Sequence, residues 1–322
     1  MTVPSTFRAP LLGAYAMAPA DPAEQRAFYT ALAELPVGGL ELPMPADGGG
    51  DENPGWGGAV PTTWDLLATC IPTVMGRLGG QAGYGLASLD EDGRSQALAD
   101  ARRGADLAVR IADRDGRRRV VAIQVHSAPG PLLGSGDALS RSLEQILTWD
   151  LAGAQVLVEH CDTLVPGQDA AKGFLSLQDE IAAVLRVVGG QGADPGATGA
   201  GLSINWGRSA IEGRSATTAV EHVAAAAQAG LLRAVVLSGA TDVETAWGPA
   251  WSDAHIPPRG EGPALEASSA SLLDAEAVRA TLQAAGPGCR IAVKVSVRPK
   301  DADVVTRLAV ARAALDLVAG AR

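Results

Sequence analysis

A chain of 322 residues that is 47 % hydrophobic and 19 % charged is globular in composition, which excludes a disordered or fibrous polymer. Its formal net charge of −10, from 26 Lys and Arg against 36 Asp and Glu, excludes a general nucleic-acid binder, because long-range attraction to phosphates is lost. A small acidic or phosphorylated substrate, met by a local Lys or Arg, stays compatible with that balance. Aromatic residues are only 4 %, so the core is expected from Ala, Leu and Val, as suits barrel strands under a coat of helices.

Short apolar runs alternate with longer helical patterns along the chain, the mark of βα repeats. LLGAYAMA (11–18) reads as the first strand and PAEQRAFYTALAE (22–34) as its helix, with Pro22 at an early helical position. GGLELP (38–43) is the second strand, and the Gly- and Pro-rich stretch PMPADGGGDENPGWGG behind it is a long loop. LLATCIPTVM (66–75) reads as a third strand running into a turn, followed by an amphipathic helix over 93–116. RVVAIQVHSAPG (119–130) is the fourth strand, with a helix around 137–151; AQVLVEHCD (154–162) is the fifth, with a helix over about 174–188.

GAGLSINWG (199–207) is the sixth strand, with SATTAVEHVAAAAQAG as its helix, and LLRAVVLSG (231–239) is the seventh. A second long loop over 240–269 holds WGPAWSDAHIPPRG; then come the helix SLLDAEAVRATLQAAG, the eighth strand RIAVKVSVRP (290–299) and a closing helix. Eight strands in strict alternation with helices predict one α/β domain over 1–322, a (β/α)₈ TIM barrel with long loops after the second and seventh strands. GGQGADPG (189–196) resembles a linker, and a two-domain split there is the alternative. No GxGxxG or GxxxxGK[ST] string follows a strand, so dinucleotide and P-loop readings lack support.

Cys70, Cys161 and Cys289 are odd in number and far apart, which argues for reduced thiols and a cytoplasmic protein. APLLGAYAMAPA is too short for a membrane span, and no other stretch reaches about 18 uninterrupted apolar residues.

Side chains alternate across a strand, so one face of each barrel strand meets the helices and the other fills the interior. Val293, Val295 and Val297 belong to the helix face, which turns Lys294 inward; Val121, Ile123 and Val125 likewise leave Gln124 and His126 inside. The same parity puts Glu159 inside with Leu157 and Cys161, Ser203 and Asn205 inside the sixth strand, Glu41 inside the second and Ser238 inside the seventh. These groups fall near the C-terminal ends of their strands, where barrel enzymes hold their active sites. A buried charge costs several kcal/mol unless paired, so such a ring points to a ligand or catalytic site or to an internal ion-pair plug.

In the loops, Trp251, Asp253 and His255 can fold over a ligand, stiffened by Pro257 and Pro258. Arg208 can meet an anionic group or pair with Glu212, and Trp206 is a candidate stacking face for a sugar. His160 points toward the helices by parity; His222, Trp64 and Asp65 read as structural.

Glu41, Glu159 and Lys294 are the catalytic candidates; His126, Asn205, Trp206, Arg208, Trp251, Asp253 and His255 are the substrate-binding ones. Glu159, His126, Asn205 and His255 can also supply ligands to Mn²⁺, Mg²⁺ or Zn²⁺, which would polarise a sugar carbonyl while a carboxylate moves the proton. Lys294 argues against such an ion. With a pKa lowered by burial, it would instead suit a lyase or aldolase.

The strings GAYAMAPA, GLELP, IPTVM, YGLAS, VHSAPG, EHCD, INWGRSAIEGR, WSDAHIPP and VKVSVRP resemble the xylose-isomerase-like TIM-barrel superfamily, and within it an actinobacterial family designated only as a domain of unknown function. The resemblance covers nearly the whole chain and implies a sugar isomerase or epimerase acting by proton transfer on a small sugar, polyol or sugar acid. It matches Glu159 to a metal-binding glutamate that ends the fifth strand and His126 to a histidine that ends the fourth. Asn205 stands where an aspartate is expected, Ser238 where a histidine is, and Lys294 where a glutamate is. A non-catalytic carbohydrate-binding barrel with a degenerate metal site is therefore carried as an alternative beside the Lys294 lyase. The expected partner is a small molecule, with neither nucleic acid nor membrane; a homodimer is left open.

Overall fold

In the computed structural model, residues 8–45, 54–189 and 199–322 are described. Eight parallel strands close into a barrel in chain order: β1 (Leu11–Leu12), β2 (Gly39–Pro43), β3 (Asp65–Thr69), β4 (Val120–Val125), β5 (Gln155–His160), β6 (Ala200–Asn205), β7 (Leu232–Leu237) and β8 (Arg290–Val293). The ring shuts where Leu11 pairs with Ala292 and Leu12 with Val293. The helices are α1 (Pro22–Ala31), α2 (Ile71–Leu78), α3 (Glu91–Asp115), α4 (Gly136–Ile146), α5 (Leu177–Gly189), α6 (Trp206–Gly213), α7 (Ala216–Gln228), α8 (Ala275–Ala285) and α9 (Val304–Gly320). This is a (β/α)₈ barrel.

Residues 190–196 of the linker-like segment lie outside the described residues. β5 and β6 flank it and pair with each other from Val156↔Ala200 to His160↔Ile204 as neighbours in the closed barrel. Residues 46–53 of the loop after β2 also lie outside. The loop after β7 runs to Asp274 and holds a short 3₁₀ turn at Glu266–Ser268 and the isolated bridges Gly239↔Ile256 and Thr245↔Gly248.

Several strands are shorter than expected. After two residues β1 gives way to a 3₁₀ turn over Ala14–Met17. β3 stops at Thr69 because Pro72, early in α2, has no N–H to lend to a ladder and is preset for a helix. β6 stops at Asn205, whose side-chain Oδ1 accepts from the N–H of Arg208 and caps α6, a helix not anticipated from sequence. Lys294 sits just past the end of β8, although its N–H still donates to Leu237 O.

Two hydrophobic bodies result. The larger lies between sheet and helices and takes in Val156, Val158, Val293, Val295 and Val297. A smaller one, Leu11, Leu67, Ala122, Leu157, Ala234, Val236 and Ala292, holds the alternate face and forms an apolar floor inside the barrel. Gln124, Glu159 and Lys294 share that face two residues on, so the polar groups stack above an apolar base.

Candidate active site at the carboxyl ends of the strands

The polar groups form two linked clusters. In the first, Lys294 Nζ donates to Glu41 Oε1 at 2.8 Å, and both side chains are fully buried. Tyr15, on the turn after β1, donates its hydroxyl to the same oxygen at 3.4 Å, and the ammonium lies 4.9 Å from the Tyr15 ring centre. Gly13 makes the room: a Cβ there would lie 2.7 Å from Lys294 Cγ. Glu41 Oε2 is buried with no hydrogen-bond partner.

The second cluster is centred on Glu159. Its Oε2 accepts from His126 Nε2 at 2.7 Å and lies 2.7 Å from Arg208 Nη1, while Oε1 accepts from Asn205 Nδ2 at 3.0 Å. Arg208 reaches back through Nε to Asp253 Oδ2 at 3.1 Å, and Lys172 Nζ joins the same oxygen at 2.9 Å. His255 Nδ1 shares a 2.8 Å hydrogen bond with Ser238 Oγ and stands 3.6 Å from Asp253 Oδ1. His255 adopts φ 53°, a left-handed conformation that is uncommon for a non-glycine residue. The backbone N–H of Ser296 holds it there by donating to His255 O at 2.7 Å. Deeper in the barrel, Gln124 Nε2 donates to Ser203 Oγ at 2.8 Å.

The electrostatics follow from burial and pairing. Burial raises the Glu41 carboxyl above the ordinary carboxylate range, only partly offset by Lys294. Burial would raise Glu159 too, but Arg208 and Lys294 outweigh it and hold the group well below that range. Burial would lower Lys294, yet Glu41, Tyr15 and Glu159 outweigh it and the ammonium is held more firmly than in water. This reverses the expectation of a Lys294 pKa lowered by burial. His126 is lowered by burial and His255 is pushed down to about 3 by burial, so both imidazoles are neutral at pH 7.

Parity thus brings Glu41, His126, Glu159, Asn205 and Lys294 together, and Arg208, Asp253 and His255 join them from α6 and the loop after β7. One open alternative is decided and one expectation is corrected. Arg208 does not pair with Glu212; the N-terminal turn of α6 aims it into the ring, and Glu212 turns outward to His160. Trp206 is fully buried and packs in the sheet–helix core, so it presents no open face to a sugar. Trp251 is half-buried, with the Arg214 guanidinium 5.3 Å from its ring centre.

Nor does the ring fit a divalent ion. His126, Glu159 and Cys161 lie close enough to share one, but Arg208 Nη1 fills that space, 2.7 Å from Glu159 Oε2 and 3.2 Å from Cys161 Sγ. His255 binds Ser238 instead of Glu159. With a guanidinium on the carboxylate and an ammonium past β8, the positive charge of a metal is already supplied by side chains.

Sequence reasoning missed Tyr15, hidden in a supposed strand, and Lys172, which lies in a loop without periodicity. Glu180 left a readable trace: it shares the apolar face of α5 with Ala183, Val184 and Val187, at spacings of three, four and seven.

A closed barrel with a charged ring at the carboxyl ends of its strands defines a (β/α)₈ protein with its polar site in the usual place for that architecture. The chain belongs to the family described as Domain of unknown function (DUF4862), which matches residues 11–310. It is 33 % identical over 262 residues to an uncharacterized protein of Salmonella typhimurium, with 77 % of each chain covered. That relative lends no support to an actinobacterial origin. Among solved structures, D-psicose 3-epimerase of Clostridium cellulolyticum, determined with D-tagatose, is similar with a TM-score of 0.56 at 13 % identity, covering 98 % of this chain and 99 % of that one. A xylose isomerase domain protein of Alicyclobacillus acidocaldarius is similar with a TM-score of 0.53 at 16 % identity, over 98 % and 99 % of the two chains. At these identities the likeness is one of fold. Among the described residues no helix is long and apolar enough to cross a membrane.

Proposed function

We propose that this protein is a sugar isomerase- or epimerase-like enzyme that moves a proton on a small sugar, polyol or sugar acid at the mouth of the barrel. The observation that carries the reading is Glu41: a fully buried carboxyl, raised in pKa, with one oxygen on Lys294 and the other unpartnered. A buried carboxyl raised in this way is suited to take and return a proton. The Lys294 ammonium beside it stabilises the oxyanion of an enediolate as the proton leaves. Arg208 and Glu159 hold the opposite wall, where neutral His126 and Asn205 present hydrogen-bonding groups to hydroxyls. No step runs through a metal.

The ring is sealed, since Glu41, Glu159, Asn205 and Lys294 are each 0 % exposed. Substrate entry therefore requires the loop after β7, which carries Asp253 and His255, to move off the mouth. Three free thiols suit a reducing, cytoplasmic setting. The lyase alternative through a Schiff base is disfavoured because Lys294 is held protonated and an ammonium is no nucleophile.

The test is NMR of the full chain with ketoses, aldoses, polyols and sugar acids in D₂O, reading deuterium uptake at the carbon beside the carbonyl. We expect exchange and isomerisation of at least one substrate, with Glu41→Gln slowing both by about 10²–10⁴-fold. Saturable binding without exchange across the panel would favour the carbohydrate-binding alternative, and an unimpaired Glu41→Gln would remove Glu41 from the reaction.

A further inference from the structure

On the other side of β5, facing the helices, a second set of titratable groups converges outside the ring. His160 ends β5 with its ring turned outward, fully buried. Its Nδ1 is held by Glu180 Oε2 of α5 at 2.8 Å, and Glu180 is itself fixed by the Ser127 hydroxyl. That leaves Nε2 aimed at Glu212 of α6, with Oε2 at 3.2 Å, yet making no hydrogen bond of its own. His222 of α7 approaches the same carboxylate, its Nε2 3.7 Å from Oε1, while its Nδ1 shares a 3.1 Å hydrogen bond with Ser209 Oγ. The two imidazoles meet edge to face with centres 4.9 Å apart, and one ligand atom from each of the three residues lies within 4.8 Å of the others.

We propose that His160, Glu212 and His222 form a zinc site on the outer face of the barrel, with two imidazole nitrogens and one carboxylate oxygen as protein ligands and water as the fourth. Two ligand atoms about 2.0–2.1 Å from a tetrahedral ion stand about 3.3 Å apart, close to the 3.2 Å between His160 Nε2 and Glu212 Oε2, while His222 Nε2 faces the other oxygen, Oε1, at 3.7 Å. Each histidine has its other ring nitrogen anchored to an oxygen, one to a carboxylate and one to a hydroxyl, the arrangement that fixes ring orientation and tautomer in metal-ligating imidazoles. Glu212 and Glu180 together balance the charge of a dication. The Glu212 and His222 side chains are each 13 % exposed, which gives an ion and a water a way in. The ion would tie β5, next to Glu159, to α6, which carries Arg208, and to α7. The site is independent of the reaction proposed above.

The experiment is calorimetric titration of Zn²⁺ into chelator-treated full-length protein, with Co²⁺ absorption as a report of coordination geometry. We expect one equivalent of Zn²⁺ and a tetrahedral Co²⁺ spectrum. His222→Ala and Glu212→Gln should each weaken binding at least tenfold. Glu180→Gln, which touches no ion, should weaken it about 10–100-fold, and Glu159→Gln should leave it unchanged. Circular dichroism shows whether each variant is folded; if His222→Ala is not, His222→Gln takes its place. Absence of saturable Zn²⁺ binding to the wild type overturns the proposal, as does binding unaffected by the His222 and Glu212 variants or lost in Glu159→Gln alone.

Discussion

Arg208 Nη1 lies 2.7 Å from Glu159 Oε2, and neither side chain is more than 1 % exposed. A buried pair of this kind is held together less by what it adds than by what its separation costs, because either partner alone is a charge without solvent. Arg208 also reaches Asp253, so the guanidinium couples the end of β5 to the loop after β7.

Removing the guanidinium should therefore be costly in a specific way. Arg208→Met is expected to lose about 3–5 kcal/mol of stability, and the double variant Arg208→Met with Glu159→Gln to lose clearly less than the sum of the two singles. Denaturant unfolding of the four proteins gives the coupling. Strictly additive losses would show that the two groups do not act as a pair.

His255 should make the protein acid-sensitive. Burial pushes its imidazole down to about 3, with Lys294 and Arg208 adding to that effect against Asp253. The folded histidine thus stays neutral where the unfolded one, near pH 6.5, takes up a proton. Between pH 6.5 and 3 the unfolded state binds more protons, so stability falls as the pH drops, by at most about 1.4 kcal/mol per pH unit from this group. Asp253 acts in the same direction at lower pH. It is held well below the usual carboxylate range because Arg208 overcomes its burial, and the stability it contributes is lost as the pH falls from about 3.9 through that depressed value. His255→Asn should flatten the slope between pH 6.5 and 4.5, and an unchanged slope would dismiss His255 as its source.

The barrel and most of its ring were legible because parallel strands buried on both faces are nearly all apolar, so each polar residue stands out against the alternation. Glu41, His126, Glu159, Asn205 and Lys294 were found this way. The pairing was not legible. Nothing in the order of residues says that α6 begins at Trp206, and that boundary alone decides that Arg208 enters the ring and Trp206 the core. Tyr15 was lost for the same reason, since the turn after two-residue β1 breaks the parity on which the reading of strands depends.

Gly13 is predicted to be a packing requirement of Lys294. A methyl group there would meet Lys294 Cγ at 2.7 Å and Cβ at 2.9 Å, below any ordinary carbon contact. Because Lys294 is fixed at its far end by Glu41, it cannot swing clear without breaking a buried ion pair. Gly13→Ala should cost about 1–3 kcal/mol, as overpacking does, and should lower turnover along with stability. Unfolding curves indistinguishable from the wild type would mean that the lysine stem yields freely.

Lys172 ties two loops together over the site. Its Nζ lies 2.9 Å from Asp253 Oδ2, joining the segment after β5 to the loop after β7, with the two side chains 12 % and 9 % exposed. In Lys172→Met, Asp253 keeps Arg208 at 3.1 Å, so the carboxylate is not left unpaired and the stability loss should stay below that of Arg208→Met. The cover, however, loses one of its two cationic anchors at Asp253. Amide hydrogen exchange over 240–260 should quicken severalfold, while the strands remain as protected as in the wild type. If access to the sealed ring limits turnover, the variant should bind substrate faster without any change in the deuterium exchange seen once it is bound. Exchange in the loop unaltered by the substitution would show that Arg208 alone holds the cover down.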